Sequence, residues 1–412
     1  MKSAPTLSEI IELDRQDALA PRRAAFQLPE KIIYLDGNSL GALPLSARRR
    51  AQQVVEREWG QDLISSWNQH DWINLPVNVG EKIARLLGAA PGQTICCDST
   101  SVNLFKLLSC ALHLQQGRSV VLTQIDNFPA DLYIAQGLGA HCGPENCTVK
   151  AVAAAELEQH LDSSVAVLLL THVNYKSAAM HDLQQLTARA HQQGILVLWD
   201  LSHSAGAVPL QLDAWQVDFA VGCTYKYLNG GPGAPAFIYA ATRHHGSIRQ
   251  PLTGWMGHTA PFEFAAEYVP SNGVRQFLCG TPAIISMSVL DAALDVFDAV
   301  DMHAVRRKSV ALTELFLTLA TDTAALPLVS PRAGEQRGSH LAFSHPQAYA
   351  ICQALIAQGV ICDFRAPDIL RLGFAPLYVR YRDVWDSVAI LAAILASKSY
   401  ESAEFTVRHQ VT

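Results

Sequence analysis

The segment Trp199–Gly233 reads WDLSHSAGAVPLQLDAWQVDFAVGCTYKYLNGGPG. An apolar run, Ile195–Leu198, delivers Trp199 and Asp200 to its end, with His203 three residues beyond the acid. A second apolar run closes at Cys223 and is followed by Thr224-Tyr225-Lys226-Tyr227 and a turn-rich NGGPG. Short apolar runs that end in polar residues predict buried parallel strands with ligand chemistry at their carboxyl ends.

The same pattern extends outward on both sides. Strands are predicted at Thr94–Cys97, Val120–Gln124, Thr148–Val152, Val165–Leu170, Ile195–Trp199, Phe219–Cys223 and Ala236–Tyr239. Helical periods over Val102–Leu114, Ala130–Leu138, Ala155–Leu161 and Asp182–Gln193 alternate with them. The expectation is an α/β protein with a mainly parallel seven-stranded sheet between helices. Thr100, Phe128, Asp131, Thr171, Asp200 and Lys226 all fall at or just after strand ends.

Three units are expected: an N-terminal arm at 1–60, a large α/β domain at 61–300 and a small α+β domain at 301–412. In the arm, a strand at Ile32–Leu35 runs into the turn Asp36–Gly41, and Ser46 is expected to cap a helix reaching Trp59. After Pro282 a helical pattern runs to about Val300, and another covers Ala304–Leu319. The small domain should hold strands His340–Phe343, Val360–Phe364 and Ile369–Phe374 with helices Ala348–Gln358 and Asp383–Ala396. Residues 240–281 lack a period, and a long irregular stretch is more often functional than idle.

Half of the 412 residues are hydrophobic and 17% are charged, with a net charge of −6. Such a chain buries a large core, and its mild acidity argues against nucleic acid or an anionic membrane as its main partner. Acids interrupt the first twenty residues, and every apolar run is short of a bilayer span. A cytoplasmic protein with nine reduced cysteines is expected, and no metal site, since no Cys/His zinc spacing occurs.

An acid at one strand end and a lysine at the next suit pyridoxal 5′-phosphate (PLP). Lys226 would form the Schiff base, and Asp200 would keep the ring nitrogen protonated. A loop aspartate and an exposed lysine are the bland alternatives. Ser99-Thr100-Ser101 precede a helix, where hydroxyls and free N–H groups bind a phosphate or simply cap. Pro129 can open a helix, leaving Phe128 to lie on a ring and Asp131 to face its edge. His203 could touch the cofactor or be structural, and Tyr225 could act as an acid or a phosphate ligand. Arg371, inside an apolar strand, is either a carboxylate clamp or one half of a salt bridge. Trp59, Trp67 and Trp72 flank His70 as core packing or as an aromatic wall.

Taken together, these residues resemble the kynureninase family. The resemblance runs from the Gly37–Gly41 turn to the Arg371 strand. It is carried by Phe128-Pro129-Ala130-Asp131, Asp200-Leu201-Ser202-His203, Val217-Asp218-Phe219, Tyr225–Asn229 and Gly254-Trp255-Met256-Gly257-His258. It implies a fold-type I PLP enzyme, a homodimer with active sites at the subunit interface, and cleavage of L-kynurenine or its 3-hydroxy form to an anthranilate and L-alanine. It further implies that Lys226 bears PLP, that Asp200 and Asp131 lie near the ring nitrogen, and that Phe128 stacks on the ring. Thr100, Ser101 and Tyr225 would hold the phosphate, with Trp255 and Thr281 reaching it from the partner chain. Thr171 and His203 match cofactor contacts, Arg371 the substrate-carboxylate arginine and Ser39 a substrate loop. Some relatives carry Asn where this chain has Thr281. The ring-recognition position varies in the family, and Trp67, His70 and Trp72 are the candidates. A cysteine desulfurase or class V aminotransferase is the nearest rival, although such enzymes typically carry His where this chain has Tyr225. A non-catalytic PLP-binding protein is a second rival.

Overall fold

The computed structural model describes residues 5–320 and 326–408. In chain order the helices that matter below are α1 (Leu7–Gln16), α2 (Leu45–Gln53), α3 (Leu75–Leu87), α4 (Thr100–Leu114), α5 (Pro129–Cys142), α6 (Leu183–Gln192), α7 (Ile284–Ala293), α8 (Met302–Leu319), α9 (Ala348–Ala357) and α10 (Tyr381–Ser397). The strands that matter below are β1 (Ile33–Tyr34), β2 (Thr94–Cys96), β3 (Val120–Gln124), β4 (Thr148–Val152), β5 (Val165–Thr171), β6 (Leu196–Asp200), β7 (Phe219–Gly222), β8 (Phe237–Ala240), β9 (His340–Ser344), β10 (Val360–Ile361), β11 (Asp363–Arg365) and β12 (Ile369–Gly373).

Strands β2 to β8 form one seven-stranded sheet in the order β2-β8-β7-β6-β5-β3-β4. Only β8 runs against its neighbours, pairing antiparallel with β2 and β7. Strand β5 shows why the sheet is buried on both faces. Val165, Leu168 and Leu170 enter one apolar cluster, while Val167 and Leu169 enter another. Side chains of a strand alternate between faces, so two cores need an apolar run without polar gaps. Helix α4 covers the second face with Leu104, Leu107, Leu108 and Ala111, a spacing that puts all four on one stripe.

The small sheet, β9-β12-β11, is antiparallel. The strand expected at Val360–Phe364 is two strands. Val360–Ile361 pairs in parallel with Ile33–Tyr34 of the N-terminal region, and Asp363–Arg365 pairs with β12. The arm is therefore tied to the C-terminal part by a sheet, and also by ion pairs Arg23–Asp383 and Lys308–Asp17. Three helix expectations are corrected. Ser46 does not cap α2, which starts behind Pro44, and its Oγ donates to the Ala292 carbonyl at 2.7 Å. Beyond Gln53 that helix loosens into a wider turn, Val54–Trp59. The pattern after Pro282 stops as an α-helix at Ala293 and tightens into a 3-10 turn, Leu294–Phe297. Ala154–His160 is likewise a 3-10 segment. Among the described residues no helix is long and apolar enough to cross a membrane.

Candidate active site

Thr171 and Asp200 are the last residues of β5 and β6, and Lys226 lies in the loop after β7. Helix α4 opens at Thr100 behind Ser99, whose Oγ accepts from the Val102 N–H at 3.3 Å. Thr100 and Ser101 thus occupy the first helical positions, where backbone N–H groups have no intrahelical partner. Helix α5 opens at Pro129, which leaves Phe128 just outside and Asp131 in the first turn. These ends enclose a cavity of about 560 Å³ lined by Thr100, Ser101, Phe128, Asp131, Thr171, Asp200, His203, Tyr225, Lys226 and Thr281.

The cavity is electrostatically unfinished. Asp131 and Asp200 are both buried. Asp200 Oδ1 accepts from the Ser202 N–H at 2.8 Å and its Oγ at 2.6 Å. Asp131 Oδ2 accepts from Thr171 Oγ1 at 3.2 Å, whereas its Oδ1 has no partner among the described residues. Burial, then the charge of Asp200, pushes the Asp131 carboxyl well above the usual carboxylate range. Burial also raises Asp200, against the pull of Ser202 and Lys226. Two buried acids with one orphan oxygen call for a cationic donor between them.

Lys226 Nζ is 3.0 Å from His203 Nε2 and 5.7 Å from the centre of the Phe128 ring. Burial, then the neighbouring Lys226, holds His203 far below its ordinary pKa, so its ring stays neutral. Phe128 is fixed edge-on by Tyr175 at 5.1 Å between ring centres. The Tyr225 phenol is raised by Cys223 and by burial, and so keeps its proton. The arm presses on this loop. A Cβ at Gly41 would fall 2.3 Å from the Lys226 carbonyl oxygen, so only glycine allows the approach.

Several predicted residues lie elsewhere. Trp67, His70 and Trp72 do not line this chain's cavity, because another network holds them. The Trp72 indole donates to buried Glu58 at 2.8 Å, His70 pairs with Asp62 at 2.9 Å, and Trp67 packs edge-on against Trp72. Trp255 is 38% exposed and sits between Phe262 and Phe264, outside the cavity. Thr281, expected to reach a site from a partner chain, lines the cavity of its own chain.

Arg371 and Ser39 form a second cluster beside the cavity, joined to it through Tyr175. The salt-bridge alternative for Arg371 is realised: its Nε donates to Asp363 Oδ1 at 2.7 Å and its Nη2 to Oδ2, with both side chains 1% exposed. Nη1 donates to the Tyr175 carbonyl, and Nη2 also reaches Ser39 Oγ at 3.1 Å. Burial and the nearby Asp363 push Asp36 up to about 7, while the arginines hold Asp363 down at about 2 despite its own burial. Breaking a buried ion pair leaves an uncompensated charge, so Asp363→Ala should cost about 3–5 kcal/mol of stability. Urea unfolding of Asp363→Ala, Arg371→Ala and the double variant would measure it. The double variant should be less destabilised than the sum of the singles, and strict additivity would mean that the pair is not coupled.

Asp363 was missed by sequence reading, although an acid inside an apolar strand is the same signal that singled out Arg371. Asn127, whose Oδ1 accepts from Thr171 Oγ1, was missed as well, as were Ser202 and Tyr175. They act through the predicted residues, and nothing in their own spacing marks them.

The residues fit PLP. The cavity offers an amine at Lys226, a flat ring at Phe128, free N–H groups at the α4 terminus and an orphaned carboxylate oxygen that a protonated ring nitrogen would satisfy. The seven-stranded sheet with this arrangement at its strand ends is the fold-type I architecture of PLP-dependent enzymes. A cysteine desulfurase from Thermococcus onnurineus NA1 shares the fold, with a TM-score of 0.77 over 96% of this chain and 100% of that one, at 15% identity. Residues 305–391 match the kynureninase C-terminal domain. The kynureninase of Pseudomonas fluorescens is 50% identical over 99% of this chain and 100% of its own length. That of Burkholderia pseudomallei (strain 1106a) is also 50% identical, over 99% and 100%. The chain belongs to the kynureninase family.

The orphaned carboxyl gives a pH prediction. Asp131 and Asp200 are raised in the bare protein, so the stability they contribute is full below the ordinary carboxylate pKa of about 4 and is lost as pH rises through their raised values. A cationic ring nitrogen placed against them would remove that loss. The melting temperature of the PLP-loaded protein minus that of the bare protein should therefore widen as pH is raised from about 4. A constant difference across the titration would contradict the assignment of these two acids to the ring nitrogen.

Proposed function

We propose that this chain hydrolyses the Cβ–Cγ bond of L-kynurenine, releasing anthranilate and L-alanine, with PLP held on Lys226. The observation that carries the reading is the cavity itself: one lysine, two buried acids and a helix N-terminus converge in a protein 50% identical to kynureninases along its whole length.

When bound, PLP supplies an electron sink for the substrate's α-carbon. The chain's own residues do the rest. Thr100, Ser101 and Tyr225 would hold the phosphate, with Thr281 also lining the cavity. Phe128 would pack on one face of the ring, and Asp200 and Asp131, the latter held by Thr171, would keep its nitrogen protonated. Lys226 Nζ takes the proton from the substrate α-carbon, and neutral His203 accepts a hydrogen bond from it at Nε2. Tyr225 Oη, still protonated, delivers a proton to the carbon fragment that leaves as alanine. Arg371 and Ser39 receive the substrate carboxylate, which must compete with Asp363 for the guanidinium.

The working unit in this reading is a homodimer. Trp255, Phe262 and Phe264 form an exposed aromatic group, with Phe264 76% exposed, that a second copy would cover. Trp255 would then serve the partner's phosphate site. Trp67 and His70 remain candidates for the substrate ring only as residues supplied by the second copy.

The test is to offer the PLP-loaded protein L-kynurenine, 3-hydroxy-L-kynurenine and L-cysteine side by side. Anthranilate fluorescence from the first, with no sulfide from the third, is the expected outcome. Sulfide release without anthranilate would move the chain to the desulfurases, whose fold it shares. The ratio of the first two rates then fixes the ring preference, which a single hydroxyl and one or two side chains decide.

A further inference from the structure

Behind the phosphate-binding wall lies a cation that this chemistry does not use. Lys106 sits about two turns into α4, and its side chain is fully buried. It does not line the cavity. Its Nζ is 2.6 Å from Asp98 Oδ2 and donates to the Phe277 carbonyl. Two of the ammonium's three hydrogens are thereby taken, one on each side of the cavity. Asp98 belongs to the turn that opens α4, and Phe277 and Cys279 lead into Gly280-Thr281. Burial works against the charge on Lys106, but Cys97 and Asp98 outweigh it and hold the amine above its ordinary pKa.

Both walls are otherwise awkward to hold. Asp98 has φ +46°, a backbone region that non-glycine residues rarely occupy. Its carbonyl oxygen accepts from the Ala236 N–H at 2.9 Å, so backbone and side chain grip it together. The opposite wall is irregular chain. It is pinned where the Cys279 carbonyl accepts from the Met256 N–H at 3.2 Å and Cys279 Sγ donates to the Leu252 carbonyl at 2.8 Å. Lys106 is the side chain that bonds both walls at once.

We propose that Lys106 is a positioning residue for the phosphate cup. It fixes the spacing between the Thr100–Ser101 helix terminus and the Cys279–Thr281 wall, and it does so without touching the cofactor. The inference rests on reading the cavity as a PLP site. A buried ion pair serving only the fold would behave differently, because its loss would weaken every ligand of the cavity alike.

PLP and pyridoxal differ by the phosphate, and that difference is the test. Bare wild type, Lys106→Met and the double variant Asp98→Asn/Lys106→Met are titrated with each, and binding is read from the cofactor's absorbance. The double variant removes both charges, so no unpaired carboxylate is left behind, and it carries the test where the single variant does not fold. PLP affinity should fall at least about 10-fold in both variants, in the range found when a supporting residue is removed, with pyridoxal affinity within about two-fold of wild type. Unchanged PLP affinity, or parallel losses for both ligands, would overturn the proposal. A wild type that takes up no PLP would instead defeat the cofactor reading beneath it.

Discussion

Replacing Lys226 with alanine is expected to end turnover, by on the order of 10⁴-fold or more, since a general base alone contributes about 10²–10⁴. Lys226 is the one lysine among the residues lining the cavity. In the proposed function the same amine both carries PLP and moves the α-proton, so no neighbour could take either part. His203, 3.0 Å from Nζ, is held neutral but is not an amine. The phosphate walls and Phe128 stay intact, so the variant should still bind PLP without attaching it. Mass spectrometry after borohydride reduction reads this directly. Wild type should gain the mass of reduced PLP and Lys226→Ala should not. A variant that still gains it would remove Lys226 from its role.

Asp200→Asn should lower kcat by about 10²–10³-fold, the usual loss when one preorganised electrostatic partner is removed. The reason lies in its setting. Asp200 ends β6, is buried, and has its Oδ1 fixed by Ser202. A fixed buried carboxylate is what keeps the ring nitrogen protonated, and an amide cannot do so. KM for kynurenine should move much less, because Asp200 is proposed to meet the cofactor ring, and Arg371 and Ser39 the substrate carboxylate. A kcat within about three-fold of wild type in Asp200→Asn would contradict the assignment.

Much of this was legible in the sequence because strand ends are legible. Apolar runs that stop at Thr171, at Asp200 and just before Thr224 mark where buried backbone meets a cavity, and local chemistry at α4 and α5 marks the rest. Hence Thr100, Phe128, Asp131 and Lys226 fell into place together. Contacts set by strand register were not legible. Asp363 meets Arg371 because β11 and β12 pair antiparallel at those residues, and the break at Cys362 that makes this possible leaves no compositional trace. The Trp67–Trp72 span shows a different limit. Tryptophans look alike whether they line a wall or fill a core, and only the buried Glu58 decides that here they anchor to it. Lys106 did carry a signal, as a lysine among Leu104, Leu107 and Leu108 on the apolar stripe of α4. Its two partners, far apart in sequence, carried none.

The measurement that bears most directly on the whole account is the stoichiometry of the reaction. PLP-loaded protein is given L-kynurenine, and anthranilate and alanine are quantified from the same sample. Both products are expected in equal amounts, each matching the kynurenine consumed. Kynurenine left intact by a protein with PLP attached at Lys226 would contradict the proposed function, as would anthranilate formed without alanine.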